Sequence, residues 1–254
     1  PKNKIQKIKV DYIGSLIFFI IISSVTIACA QISKSNNLLI VFAVLSFIFL
    51  VFGVLRFKNT EEFIVPKKIL SNKLFLISNL THFFIGVGLI IAIITVPVMA
   101  ETILGASPLE GGLRLLRLTI ALSIGAFIGG LMTEKINSKI PLMAGFILIS
   151  VGFYFMFGWG LDIGDPEMTI HLSLLGLGFG ICISPITYSA MKNINDTERG
   201  SASSLLTLSR MLGMTIGLSS LTAWGTTRFS QLTSDVEGFS LDPLAQQKLT
   251  ETTL

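Results

Sequence analysis

The sequence predicts an all-α membrane protein with about seven transmembrane helices, on three observations. Long apolar segments of roughly 20 residues follow one another through the 254 residues. A helix of about 20 residues is about 30 Å long, which matches the hydrocarbon thickness of a bilayer. Hydrophobic residues form 51% of the chain and charged residues only 13%, with a mean hydropathy of +0.77. Soluble domains carry about 25% charged residues, so this composition argues against a water-soluble fold.

Seven apolar segments predict one membrane helix each. They cover residues 12–30, 38–55, 75–100, 113–132, 140–160, 169–190 and 203–224. We expect the first two helices, within residues 1–57, to be central or peripheral additions, and residues 75–228 to form a five-helix bundle. Residues 58–74 hold basic residues and Pro66, and predict a cytoplasmic connector. Residues 229–254 are polar, and predict an outer loop.

The distribution of charge predicts the orientation. With alternating spans and a cytoplasmic start, thirteen of the nineteen basic residues fall on the inner side, and nine of the fifteen acidic residues fall outside. This is the positive-inside bias, so we expect a multi-pass plasma membrane protein whose segment starts inside and ends outside. The net charge of +4 therefore reflects membrane topology and does not indicate a nucleic-acid partner. The chain starts with Pro1 and stops in a polar segment, and we interpret it as an internal piece of a longer protein.

Glycines four residues apart recur on three predicted helices. The pairs are Gly125 and Gly129, Gly176 and Gly180, and Gly213 and Gly217. Such spacing leaves one helix face bare and lets a neighbouring helix approach closely. Static packing explains the pattern in any helical membrane protein, and helices that slide or rock also use it.

The predicted inner loop after the fourth segment combines small, acidic and basic residues. Gly130 precedes Glu134, Lys135 and Lys139. Lysines stabilise helix C-termini and acids stabilise N-termini, so these side chains are candidates for pairs that hold an inner gate shut. The alternative is an ordinary basic loop.

This loop resembles a degenerate copy of the major facilitator signature G-x-L-a-D-R-x-G-x-R. Glu134 stands at the acidic position and Lys135 and Lys139 at the basic ones, while Asn137 replaces a glycine. The resemblance implies a major facilitator fold, of which this chain would form most of the second half.

Further stretches are similar to the fourteen-helix drug:proton antiporters of that superfamily. They include Asp11-Tyr-Ile-Gly14, the junction at residues 97–116, and Arg199-Gly200-Ser-Ala202. Glu101 and Arg117 depart from the family, which has Gln and Pro there, and the second change removes a helix-starting residue. The resemblance implies proton-coupled efflux of hydrophobic or cationic drugs by alternating access. It also implies three partners besides the lipid bilayer: protons, a small hydrophobic substrate, and an N-terminal six-helix bundle that this chain lacks.

Arg210 is the most deeply placed charge. Ten residues after Gly200, at about 1.5 Å per residue, place it about 15 Å inside the membrane. Charges in membrane helices are costly unless they face water or a partner, so we predict a place in the substrate or proton pathway, facing a cavity or an acid of the missing half. Snorkelling to the inner surface is the alternative.

Four charged residues cluster near the predicted outer side. Arg114 and Arg117 share a helix face, and Glu101 and Glu110 lie close in sequence. They are candidates for an ion-pair cluster that closes an outer gate, with a solvated rim as the alternative.

The sequence contains no nucleophile–base set, no metal-ligand spacing and no phosphate-binding loop, so we predict neither an enzyme nor a cofactor or metal. His82 and His171 are isolated, and we interpret them as packed or interfacial. A carrier of another small solute within the superfamily, or a non-transporting membrane module, remains the alternative to drug efflux.

Overall fold

The computed structural model describes residues 11–31, 36–59, 67–160 and 162–233. Within these ranges the chain forms eight α-helices and no strand, which confirms the all-α prediction. The helices are α1 (Tyr12–Ala30), α2 (Asn36–Asn59), α3 (Lys67–Leu70), α4 (Lys73–Thr102), α5 (Pro108–Lys135), α6 (Lys139–Phe157), α7 (Asp165–Met191) and α8 (Arg199–Thr233), with a short 3-10 helix at Asp196–Glu198 before α8.

Six helices, α1, α2 and α4 to α7, are long and apolar enough to cross a membrane. The seventh predicted segment lies in α8, which has 35 residues but is more polar. Hydroxyl groups in α8 donate to carbonyls one turn earlier, as Thr215 does to Met211 and Ser219 to Thr215, so they are satisfied inside the helix. That α8 spans the membrane stays a prediction.

The helix ends differ most from the predicted boundaries in two places. Helix α5 starts at Pro108, because Ser107 and Glu110 form a capping box there. Arg117 therefore lies well inside the helix, and its departure from the family removes no helix start. Helix α8 continues past Arg228 to Thr233, since no Gly or Pro interrupts it there. The predicted outer loop beyond residue 233, the basic stretch 1–10 and Pro66 of the connector lie outside the described residues.

Helices α4 to α8 form a bundle in which consecutive spans run in opposite directions. One end, here called the basic end, carries the basic residues at helix termini and in the links between helices; the other is called the opposite end. The residues that define the basic end are Lys73, Lys135, Lys139, Lys192 and Arg199.

Helix α7 lies at the centre of this bundle. In its apolar segment 56% of the residues are buried, against at most 28% in any other candidate span. Leu172, Leu175 and Phe179 of α7 pack in one apolar core with residues of α4, α5 and α6. A smaller core at the basic end holds α3 against the ends of α7 and α8, through Ile69 and Ile194 among others.

Glycines set the closest helix contacts. Gly125 and Gly129 of α5 lie against the α7 backbone at Leu177 and Ile181, and a Cβ at either glycine would collide with that backbone. In return, Gly176 and Gly180 of α7 lie against the backbone of α5. These two helices therefore run parallel with almost no side chain between them.

Close packing at glycines also joins α4 and α8. Gly86 of α4 lies against the backbone of Arg210, and Gly213 of α8 lies against the backbone of Phe83. Gly217 packs one turn further along, at Val87. Helices α4 and α8 therefore run parallel from the basic end.

Helices α1 and α2 pack on each other, and α1 also contacts α8. At the start of α1, Asp11 accepts a hydrogen bond from the backbone of Gly14, and it pairs with Arg56 of α2 at 2.7 Å. The Asp11 side chain is buried, so this ion pair fixes the first turn of α1 to the last turns of α2. Most large side chains of α2 are exposed and apolar, which suits a surface facing lipid.

Candidate functional site

Arg210 is partly buried on α8, where the α8 and α4 backbones touch. It lies eleven residues after the start of α8, or about 16 Å along the helix axis. Its guanidinium has no hydrogen bond or ion pair with any described residue. A free guanidinium at this depth requires water or an anionic partner, so Arg210 is the first candidate for a functional residue.

His82 of α4 lies beside Arg210. Only 4% of the His82 surface is exposed, and its ring faces Leu206 and Arg210 of α8. Neither ring nitrogen has a hydrogen bond of good geometry within the described part of the chain, although the backbone of Leu206 lies within reach of the ring. The α4–α8 interface therefore holds a poorly bonded polar ring near an unpaired cation, although the sequence indicated only an isolated packed histidine.

At the opposite end, α5 is tied to α7. Arg117 donates to both carboxylate oxygens of Asp165, at 2.7 and 3.0 Å, and to the Thr169 hydroxyl at 2.6 Å. The Nε of Arg114 lies 3.5 Å from the same carboxylate. One acid therefore serves two arginines from another helix.

The structure brings together only half of the predicted outer cluster. Glu110 accepts hydrogen bonds from the backbone and hydroxyl of Ser107, in the capping box, rather than pairing with an arginine. Glu101 is exposed near Gly111 and forms no ion pair within the described ranges. Asp165 was not among the predicted site residues, although its place immediately before Pro166 and an apolar segment is typical of the first turn of a helix.

The predicted gate residues of the basic end do not pair with one another among the described residues. Glu134, Lys135 and Lys139 are all exposed, and among the described residues none of them forms an ion pair. Gly130 lies close to the Ser184 hydroxyl of α7, which donates to the Ala126 carbonyl. In this conformation the charges of the loop remain available to a partner outside the described residues.

The second histidine also has a defined environment. The indole Nε1 of Trp159 donates to Nδ1 of His171 at 2.9 Å, and the His171 ring stacks on Phe155 at 4.7 Å. This cluster joins the end of α6 to α7. His171 therefore has a hydrogen-bond partner, which its isolation in the sequence did not indicate.

In the described part of the chain, no group of three His, Cys, Asp or Glu side chains is placed to hold a metal ion. Cys29 and Cys182 are both free. The described features are a glycine-packed helical bundle, ties between helices at one end and an unpaired arginine within it. They define a polytopic, all-α membrane protein.

Comparison with known families agrees with this class. The model of the Major Facilitator Superfamily matches residues 11–218, and the chain belongs to that superfamily.

Curated relatives share part of this length. The chain is 32% identical over 156 residues to a triacylglyceride transporter of Mycolicibacterium smegmatis, a match that covers 58% of this chain and 28% of the relative. It is 30% identical over 167 residues to a triacylglyceride transporter of Mycolicibacterium hassiacum, covering 62% and 31%. It is 28% identical over 158 residues to one of Mycobacterium tuberculosis, covering 58% and 30%. The matches thus span about three tenths of the length of these relatives.

Proposed function

We propose that the full-length protein is a transporter that exports hydrophobic compounds by alternating access, driven by protons. Membership of the superfamily and relatives named as transporters support a carrier rather than an enzyme. In this proposal a second six-helix bundle completes the fold, and the substrate binds between the two bundles near the middle of the membrane.

The observation that carries the proposal is the unpaired guanidinium of Arg210. A cation at this depth is costly unless it faces water or an anionic partner, so by default it indicates a functional site. We propose that Arg210 pairs with a carboxylate of the other bundle and that protonation of this carboxylate releases it. The pair would then exist in one access state and be broken in the other.

The charged residues near Arg210 bear on the class of substrate. Within the described residues, no acid lies at the depth of Arg210. The described residues therefore offer a cationic substrate no attraction at this depth, and a neutral lipid needs none. We therefore propose an uncharged apolar lipid first, the class that the relatives' name, triacylglyceride transporter, describes. Hydrophobic or cationic drugs are the second candidate, because the motifs of residues 97–116 and 199–202 resemble the fourteen-helix drug:proton antiporters.

The gates are assigned by position. Glu134, Lys135 and Lys139, which follow Gly130, are proposed to pair with the other bundle when the basic end closes. At the opposite end, Arg114 and Arg117 are held by Asp165, so we propose that this tie braces α5 and α7 while Glu101 remains free to contact the other bundle. We place the basic end at the cytoplasmic side of the plasma membrane.

The test is transport by the full-length protein in liposomes, with a fluorescent triacylglyceride analogue and with a lipophilic cationic dye. We expect transport of the lipid analogue that depends on the proton gradient. Arg210→Ala should lower the rate at least about tenfold, and Arg210→Lys should restore little, because lysine lacks the planar fork that grips a carboxylate.

Arg228→Ala, an exposed arginine of the same helix, serves as the control and should transport at the wild-type rate. Wild-type rates for both Arg210 variants would show that Arg210 has no role in transport. Rates that do not depend on the proton gradient would rule out proton coupling, and transport of the dye alone would favour the second substrate class.

A further inference from the structure

The basic end of the bundle contains a cavity of about 410 Å³ where α7 ends and α8 begins. Six residues line it: Tyr188, Met191, Lys192, Asn193, Ile194 and Arg199. None of them belongs to the pathway or to the gates assigned above. The cavity therefore needs its own explanation.

The side chains of Lys192 and Arg199 line this cavity, and both have hydrogen-bond donors without a partner among the described residues. The ammonium group of Lys192 has no ion pair or hydrogen bond with any described residue. Arg199 uses its Nε for Asp196, at 3.2 Å, and its two Nη groups have no partner in the described part of the chain. The Asp196 side chain is 88% exposed, so water solvates the only carboxylate that contacts these cations within the described residues. The free donors suit a group with several anionic oxygens.

The remaining wall is apolar and partly fixed. Ile194 is buried in the small core of the basic end, and the half-exposed Tyr188 ring and the Met191 side chain form the side that continues along α7. Asn193 is a non-glycine residue with a positive φ of 67°, which reverses the chain directly after α7. Polar donors therefore lie beyond the helix end and apolar side chains lie along the helix, in the same order as headgroup and acyl chain in a lipid.

We propose that this cavity binds the phosphodiester headgroup of an anionic phospholipid from the leaflet at the basic end. Lys192 and Arg199 bind the phosphate oxygens, and the first acyl carbons lie along Tyr188 and Met191. Basic pockets between membrane helices at the cytoplasmic side bind anionic lipid headgroups in other membrane proteins. The inference requires only that the basic end lies at that leaflet, so it is independent of what the protein transports.

Native mass spectrometry of the full-length protein in detergent micelles tests this site. Phosphatidylglycerol should bind, and phosphatidylcholine with the same acyl chains should bind more weakly. The double variant Lys192→Gln/Arg199→Gln should lose affinity for phosphatidylglycerol by about tenfold or more. The charge-retaining variant Lys192→Arg/Arg199→Lys should keep most of it.

Lys73→Gln removes another exposed cation of the basic end and is the matched control, with wild-type affinity expected. Equal binding by the double variant and the wild type would overturn the proposal, as would an equal loss in Lys73→Gln, which would indicate diffuse surface charge. Displacement of the lipid by millimolar inorganic phosphate would also overturn it, since the site would then belong to a soluble anion. If the double variant fails to fold, the single variants Lys192→Gln and Arg199→Gln test the site instead. Each should lose part of the affinity for phosphatidylglycerol.

Discussion

Arg117 and Asp165, 48 residues apart in sequence, form a two-pronged ion pair that joins the third turn of α5 to the first residue of α7. The Arg117 side chain is 29% exposed and that of Asp165 54%, so the pair lies at the rim of the bundle. It is nevertheless held in place, because Arg117 also donates to Thr169 and Arg114 approaches the same carboxylate.

Asp165→Asn should destabilise the protein by about 1 kcal/mol, the upper range for an exposed pair with good geometry. The substitution leaves two arginines without their shared anion. A double-mutant cycle with Arg117→Gln, measured by thermal unfolding in detergent, should give a coupling energy of similar size. Glu167→Gln changes an exposed acid of the same helix turn and should have no effect. A coupling energy of zero would mean that the Arg117–Asp165 pair does not stabilise the bundle.

The glycine contact between α4 and α8 should not tolerate a methyl group. In Gly86→Ala the new Cβ would meet the Arg210 backbone, and in Gly213→Ala it would meet the Phe83 backbone. Because neither backbone can move aside alone, we expect each variant to lose about 1–3 kcal/mol or to misassemble.

Gly225→Ala provides the control for these two variants. Gly225 lies in α8 with open space where its Cβ would be, so the substitution should be neutral or slightly stabilising, since alanine favours a helix. Unfolding temperature and expression level, measured for Gly86→Ala, Gly213→Ala and Gly225→Ala, distinguish the control from the two variants at the helix contact. Normal stability of Gly86→Ala would show that α4 and α8 are further apart than described.

The buried ring of His82, which has no hydrogen bond of good geometry within the described residues, predicts an unusual result for a polar-to-apolar change. A buried polar group without a hydrogen bond costs about 1–3 kcal/mol. His82→Leu should therefore leave the stability unchanged or raise it, whereas His82→Asp should lower it. Unfolding temperatures of the purified variants decide between these outcomes. A large loss of stability in His82→Leu would mean that a ring nitrogen does form a hydrogen bond, either with the Leu206 backbone or with a partner outside the described residues.

The bond from Trp159 to His171 should contribute measurably to stability. The indole Nε1 donates to Nδ1 of His171 at 2.9 Å, and the His171 ring stacks on Phe155. Removing the acceptor leaves a partly buried indole N–H without its partner, which should cost about 1 kcal/mol.

His171→Phe keeps the ring stacking but lacks the acceptor, and should lower the unfolding temperature measured in detergent. His171→Gln retains an acceptor, and should keep more of the stability of wild type. Wild-type stability of His171→Phe would contradict the prediction.

Local patterns were sufficient for the fold class. The apolar segments predict each membrane helix to within a few residues in most places, because length and hydrophobicity act along one helix at a time. The glycines at 125, 129, 176, 180, 213 and 217 could likewise be placed on single helix faces from their spacing, since a helix repeats every 3.6 residues. The capping box at Ser107, which moves the start of α5, was present in the sequence as a local motif and could have been found there.

The tertiary structure was needed to identify which side chains pair between different helices. Sequence proximity suggested Glu101 and Glu110 for the arginines of α5, but the partner is Asp165 on α7. The placement of His82 beside Arg210 likewise depends on how α4 and α8 are rotated and how closely their glycines let them approach. Sequence determined which helices form and which faces are bare, because those properties follow from consecutive residues. Only packing decided which charged side chains meet, because that depends on the relative rotation and depth of helices that are distant in the chain.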